Sequence, residues 1–211
     1  MVEPSSQQKI KIASTLLLTL LIVSSVSLLS SCRDQPDGAS STPSLPVLSV
    51  EGYWDMADEL AKEWHNDAQV YNINARVVLP NDKTSGPSII FAFHSAQDLM
   101  TEFIVTCSVE SCQSYDLEHS PGYPLHLCPI ERNAFRIDTK HVLATALENG
   151  LEDYVFEEKA TVYLDLSRTV ACQEKAVWVA SGFIPSPLQS TFVWIDAMTG
   201  KVIESPYRTE P

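Results

Sequence analysis

The sequence predicts an α+β protein built from two tandem units, each a helix followed by an antiparallel sheet. In one stretch of each unit the apolar residues recur every three to four positions, which indicates an amphipathic helix. They then alternate with polar residues in short β-branched and aromatic runs, which indicates strands. Both units follow an apolar N-terminal segment and a polar linker. The expected order is therefore signal peptide, tether and two folded units.

Residues 1–31 have the pattern of a lipoprotein signal peptide. Lys9 and Lys11 precede an uncharged, largely apolar stretch over residues 13–29, which is the order expected of an export signal. The stretch runs into the sequence Leu-Ser-Ser-Cys, which resembles the bacterial lipobox, where an aliphatic residue and two small residues precede the lipid-bearing cysteine. The resemblance implies cleavage before Cys32 and lipidation of that residue, palmitate included.

The expected location is the bacterial cell membrane or envelope, on the extracytoplasmic side, with the chain held there by its lipid anchor. An uncleaved transmembrane helix is the alternative, but the apolar stretch is shorter than the roughly 20 residues that cross a bilayer. Residues 32–46 are rich in Pro, Ser and Asp. That composition predicts a flexible linker between the lipidated cysteine and the folded part.

The predicted first unit covers residues 47–117 and opens with a helix over residues 53–68. The second unit covers residues 137–211, after a proline-rich connection over residues 118–136. Its helix is capped by Asp138 or Thr139 and stops at the dipeptide Asn149-Gly150, because glycine readily ends a helix. The predicted strands are residues 75–79, 89–93, 103–107, 112–117, 160–166, 176–180, 191–196 and 201–203.

The two units repeat one order of elements: a helix, three strands, a tight turn and a short return strand. Repeats of this kind are detected by pattern even where identity is slight. The alignment of the units makes three pairs of positions equivalent: Val77 with Val162, Phe91 with Trp178, and Cys107 with Asp196.

The chain is strongly acidic, with a formal net charge of −13. A surface of that sign repels phosphate backbones, so nucleic acid is not an expected partner. The acidity favours solubility and cationic partners.

Five cysteines occur, and Cys32 is assigned to lipid. The other four are an even set in an oxidising compartment, which predicts two disulfides with three possible pairings. On the repeat alignment Cys107 and Cys112 flank a hairpin turn, which favours a bond between them. Cys128 would then pair with Cys172. A zinc site is the alternative, although the spacing supplies only one close pair of thiols.

The C-terminal stretch resembles the end of a PepSY domain. A tryptophan-bearing strand, Ala176–Ala180, precedes a strand that ends in Asp-Ala-Met-Thr-Gly-Lys-Val over residues 196–202. Asp196 can accept hydrogen bonds from the backbone of this turn, and Gly200 can supply a positive φ. The resemblance covers about residues 137–204, and the first unit shares the order of elements without the motif.

This resemblance implies a helix packed on an antiparallel sheet. The family occurs in propeptides of thermolysin-like metalloproteases and in envelope lipoproteins, where it inhibits peptidases or binds partners rather than catalysing a reaction. Fold analogy alone supports only a class of activity.

No catalytic residue, metal ligand or cofactor is predicted, and the chain is not expected to be an enzyme. The five histidines lie outside any metal-binding motif. His119 and His126 share the proline-rich connection, where they could meet but are expected to be solvated. The acidic residues of the second helix region are expected to form a solvated face rather than a cation site; these are Glu148, Glu152, Asp153, Glu157 and Glu158.

The expected function is binding of a protein or peptide at the outer face of a membrane, including the restraint of a peptidase. The alternative is an envelope sensor or carrier for a small molecule or a cation. A polar cavity between helix and sheet would favour the alternative, whereas a filled core would favour protein binding.

Overall fold

A computed structural model describes residues 45–83, 86–119, 128–157, 160–168, 175–185 and 188–204. The signal peptide, Cys32, nearly all of the linker, His126 and Cys172 lie outside these residues. In chain order the elements are α1 Val50–Trp64, β1 Gln69–Val77, β2 Ser88–His94, β3 Thr101–Cys107, β4 Cys112–Glu118, α2 Thr139–Ala146, α3 Glu152–Val155, β5 Thr161–Arg168, β6 Ala176–Pro185, β7 Leu188–Asp196 and β8 Val202–Ile203. A 3₁₀ turn covers Arg132–Ala134, and a π-helical turn, Leu147–Leu151, joins α2 to α3.

All eight strands belong to one antiparallel sheet, in the order β4-β3-β2-β1-β5-β6-β7-β8. The prediction of an α+β protein is confirmed, but the prediction of two tandem units is wrong. Strands β1 and β5, the first of each half, pair along six residues from Asn72–Ser167 to Val77–Val162. Each would otherwise be the exposed edge of a four-stranded sheet, and joining them removes two edges at once.

The helices lie on one face of this sheet. Alternate residues of the two central strands point toward them and are fully or almost fully buried, because side chains in a strand alternate between faces. These residues are Ile73, Ala75 and Val77 of β1 and Val162, Leu164 and Leu166 of β5. They lie opposite one another in the β1–β5 register, so a single apolar layer crosses the centre of the sheet.

An aromatic chain continues this layer from one half to the other. The ring of Trp54, on α1, lies 6.2 Å from Phe91 of β2 and 5.7 Å from Phe135. Phe135 in turn lies 6.4 Å from Trp178 of β6. Phe91 and Trp178, which the repeat alignment makes equivalent, are both fully buried. The space between helices and sheet is therefore filled across both halves.

The N-termini of the two main helices are joined by a hydrogen bond between the halves. Asp138 precedes α2, where the sequence predicts a cap, yet its side chain makes no capping bond to that helix. Its carboxylate accepts instead from the backbone N–H of Val50 at the start of α1, at 3.0 Å. The neighbouring Thr139 hydroxyl donates to the carbonyl of Leu48 at 2.6 Å. A carboxylate here satisfies a helix-terminal donor and opposes the positive end of the helix dipole.

Strand β1 begins at Gln69, six residues before its predicted start. The early part of the strand carries polar side chains on the face of the sheet opposite the helices. There the Asn74 amide donates to Asp165 of β5 at 2.6 Å. Burial raises the pKa of the Asp165 carboxyl, and the Asn74 hydrogen bond opposes that shift only in part. Because of these polar side chains, the apolar pattern of the sequence does not indicate the early part of β1 as a strand.

The equivalence of Cys107 and Asp196 is wrong by one position. Phe91 pairs with Val105, and its equivalent Trp178 pairs with Ile195, so Cys107 corresponds to Ala197, which is fully buried as Cys107 is. The helix at Gly150 behaves differently from its prediction too. Gly150 has a positive φ of 105° and kinks the chain, but another helical turn, α3, follows.

Among the described residues, no helix combines the length and apolar character needed to cross a bilayer.

Candidate functional site

The turn after β7 is built around Asp196. Its carboxylate accepts from the backbone N–H groups of Met198, at 3.0 Å, and Thr199, at 2.8 Å, and from the Thr199 hydroxyl at 2.9 Å. Burial raises the pKa of this carboxyl, but these hydrogen bonds outweigh it and leave the pKa below its usual value. Gly200 has a φ of 72° and closes the turn. Every observed role of these two residues is structural.

Cys107 and Cys112 form a disulfide that joins the ends of β3 and β4 across their turn. The two residues are also the last pair in the β3–β4 register. Cys128 is disulfide-bonded as well. Its pairing with Cys172 stays a prediction, since Cys172 lies outside the described residues. The described cysteines are thus consistent with an oxidising compartment.

Three side chains that can bind a metal converge on the face of the sheet opposite the helices. In β2 and β3, Phe93 pairs with Phe103, so the neighbouring His94 and Glu102 share the other face. Glu102 pairs with Leu117 of β4. His119 follows Leu117 by two positions and therefore points to the same side. We call His94, Glu102 and His119 the histidine–glutamate cluster.

The cluster is compact and largely buried. One potential ligand atom from each residue lies within 4.8 Å of the other two. His119 Nε2 lies 3.0 Å from a carboxylate oxygen of Glu102. Both ring nitrogens of His94 are buried, and neither has a hydrogen-bond partner among the described residues. The His94 ring packs against Tyr71, with centroids 4.5 Å apart.

Burial and the neighbouring charges shift the ionisation of two members. Burial, with a smaller repulsion from His119, lowers the pKa of His94 to about 4. Burial also raises the pKa of the Glu102 carboxyl, although His119 opposes that shift. The His94 imidazole is consequently neutral near pH 7, the state that presents a lone pair to a ligand.

A cleft of about 400 Å³ adjoins His94. The residues lining it come from the turn before β1 and the start of that strand, from the end of β2 and the loop after it, and from the connection after β4; they are Asp67, Gln69, Tyr71, His94, Ser95, Ala96, Leu99 and Pro129. Asp67 fixes that loop, since its carboxylate accepts from the Ser95 hydroxyl at 2.6 Å and the Ala96 N–H at 3.1 Å. The Ser95 bond is the main cause of a lowered pKa for the Asp67 carboxyl.

The sequence provides no local signal for the histidine–glutamate cluster. Its members are spread from residue 94 to residue 119, and their proximity depends on the registers of β2, β3 and β4. The expectation that His119 is solvated together with His126 is wrong for His119, whose side chain is only 14% exposed beside Glu102; His126 lies outside the described residues. Glu102 is the one charged residue of β3, and the structure leaves it only 9% exposed. A carboxylate so placed is a usable marker of a site.

Strand β4 forms one edge of the sheet. All of its side chains except Cys112 are exposed, among them Tyr115 and Leu117 at 53% and 45%. Over its seven residues it contains no proline, lysine or bulge, three features that often protect an edge from pairing, although it carries the charged Asp116 and Glu118. At the other end of the sheet β8 has only two residues and pairs with Trp194 and Ile195 of β7, so the first part of β7 also lacks an outer strand among the described residues. Within the described part of the chain, β4 is the edge strand that has no outer partner along its whole length, and it ends beside His119.

The fold defines a class: an α+β protein with helices on one face of a single antiparallel sheet. No family model matches the chain, and neither the curated proteins nor the solved structures contain a match.

Proposed function

We propose that this chain is an extracytoplasmic lipoprotein whose folded part binds an extended segment of another protein along β4. The free edge of β4 is the observation that carries the proposal. An added strand would hydrogen-bond to the outward N–H and C=O groups of β4, while Tyr115 and Leu117 would contact its side chains. Membrane attachment, partner binding without catalysis and relationship to PepSY domains all belong to this proposal.

The bound segment is basic. Asp116 and Glu118 lie on β4, and Glu110 lies in the turn before it. The whole chain has a net charge of −13. Complementary charge accelerates encounter and disfavours acidic competitors. The PepSY resemblance makes a peptidase of the envelope the partner class of first interest, because an added strand can block access to a substrate-binding groove.

Display of random 12-residue peptides against the full-length chain in detergent micelles tests this proposal. We expect selected peptides to be rich in Lys and Arg and in β-branched residues, and to bind more weakly as salt concentration rises. Selection of no peptide above background would contradict the proposal, as would selection of acidic or helical peptides.

Two proline variants locate the binding edge. Consecutive backbone N–H groups of a strand point to opposite sides, so Tyr115→Pro removes an N–H that faces β3 and Asp116→Pro removes one that faces outward. Asp116→Pro should melt near the wild-type temperature and lose peptide binding by about tenfold or more. Tyr115→Pro should lower the melting temperature. Unchanged peptide affinity in folded Asp116→Pro would exclude β4 as the site.

Attachment through Cys32 has a separate test. Cys32→Ala removes the thiol that would receive lipid, so labelling by a clickable fatty acid should disappear and the unprocessed precursor should accumulate. Cys112→Ala serves as the matched control, because it removes a different cysteine and should leave labelling intact. Labelling that persists in Cys32→Ala would disprove the lipid anchor.

A further inference from the structure

The histidine–glutamate cluster holds a set of donor atoms that the peptide-binding proposal does not use. Its three members come from β2, from β3 and from the residue after β4, so the sheet fixes the spacing of their backbones. Two imidazoles and one carboxylate are a common ligand set for divalent transition metals.

The strongest evidence for a bound ligand is at His94. Its two ring nitrogens are buried and have no hydrogen-bond partner among the described residues. Leaving a buried polar group unsatisfied costs about 1–3 kcal/mol. An apolar side chain could fill this position beside Tyr71 without that cost. A metal ion bound to one ring nitrogen would satisfy that nitrogen and account for a histidine here.

We propose that His94, Glu102 and His119 bind one divalent transition-metal ion of the zinc type, with a further coordination position open toward the adjoining cleft. The inference is independent of peptide binding at β4.

The distances suit an ion once the side chains rotate toward it. Zinc lies about 2.0–2.2 Å from nitrogen and oxygen ligands, and the ligand atoms of a tetrahedral ion are about 3.4 Å apart. The separation of His119 and Glu102 is already 3.0 Å. The widest separation in the cluster is within 4.8 Å. Side-chain rotations that move ligand atoms by up to about 1.4 Å bring the wider separations to the tetrahedral value.

The ligand set also defines what is excluded. Calcium and magnesium prefer oxygen ligands, and two of the three donors here are imidazoles. Three protein ligands leave a four-coordinate zinc with one free position, whereas closed structural sites use four. The free position would face the cleft beside His94, where water or an anionic group of a small ligand can complete the coordination.

Metal titration of the untagged full-length chain in detergent tests the inference. We expect one Zn²⁺ per chain by calorimetry, and a melting temperature that rises with Zn²⁺ because the ion binds only the folded state. Co²⁺ should give visible d–d absorption without the near-ultraviolet band of thiolate ligands. Mg²⁺ and Ca²⁺ should have no effect at the same concentrations.

Conservative variants assign the ligands. Glu102→Gln and His119→Gln keep side-chain size and should each weaken Zn²⁺ binding by about tenfold or more. His141→Gln is the matched control, since His141 is exposed on α2, and it should bind as the wild type does. The inference is overturned if the wild type binds no Zn²⁺ at 100-fold molar excess, or if Glu102→Gln and His119→Gln both bind with unchanged affinity. The Co²⁺ spectrum of the wild type decides the case in which the variants do not fold.

Discussion

Trp178→Ala should destabilise the entire molecule by about 3–5 kcal/mol, which is the usual cost of removing a large aromatic side chain from a core. Trp178 is fully buried, and its indole N–H donates to the carbonyl of Ile137 at 2.9 Å. The substitution removes this bond and the contact with Phe135, and it leaves a cavity. A loss of this size is a large part of the stability of a typical domain.

The number of steps in the unfolding transition tests whether the two halves of the sheet unfold together. Because β1 pairs with β5 and the aromatic chain crosses between the halves, near- and far-ultraviolet circular dichroism should report one coincident denaturant transition. Trp178→Phe keeps most of the volume and should cost clearly less than Trp178→Ala. Two separate transitions in Trp178→Ala, with the first half still folded, would contradict a single cooperative sheet.

Gly182→Val should be the second most damaging substitution, with an expected loss of about 2–3 kcal/mol in unfolding free energy. A Cβ atom at Gly182 would lie 2.8 Å from Cγ of Tyr154 and 2.9 Å from a methyl carbon of Leu151. Gly182 of β6 thus lets the segment around α3 approach the sheet closely. Cγ is the first atom of the Tyr154 ring, so it can give way only by a change of χ1 or a shift of the backbone, and both would disturb the packing of the ring.

Gly86→Ala is the control for this prediction. A Cβ atom there meets nothing within 4 Å, and alanine restricts the unfolded chain, so stability should be unchanged or rise by up to about 1 kcal/mol. Chemical denaturation of both variants measures the difference. Equal stability of Gly182→Val and Gly86→Ala would show that α3 does not pack on β6 as described.

Local patterns predicted most of the elements but not how they assemble. Short runs of β-branched and aromatic residues indicate β2, β3, β5 and β7, and the three- to four-residue spacing indicates both main helices. Nothing in such patterns specifies which strand edges pair, so the β1–β5 junction could not be predicted. The same limitation applies to Asp138, whose position before α2 predicts a cap for that helix, whereas its carboxylate reaches Val50.

In the candidate site, too, the local features could be predicted from the sequence and the features that depend on assembly of the sheet could not. Asp196 and Gly200 are recognisable because turn chemistry acts over a few residues. The histidine–glutamate cluster requires two strand registers, β2–β3 and β3–β4, to be known at once, and a shift of one residue in either of them would turn a ligand to the other face. The exposed edge of β4 likewise follows only from its place at the end of the sheet order.

The junction of β1 and β5 also sets the order in which the fold can be completed. Each outer hairpin joins neighbouring stretches of chain, but the centre joins Asn72 to Ser167 and so requires the closure of a long loop. When the chain emerges starting from its N-terminus, one edge of β1 stays unpaired until residues beyond 160 have emerged. The C-terminal half therefore covers the open edge of the N-terminal half, and the sheet can be completed only when nearly all of the chain is in one compartment.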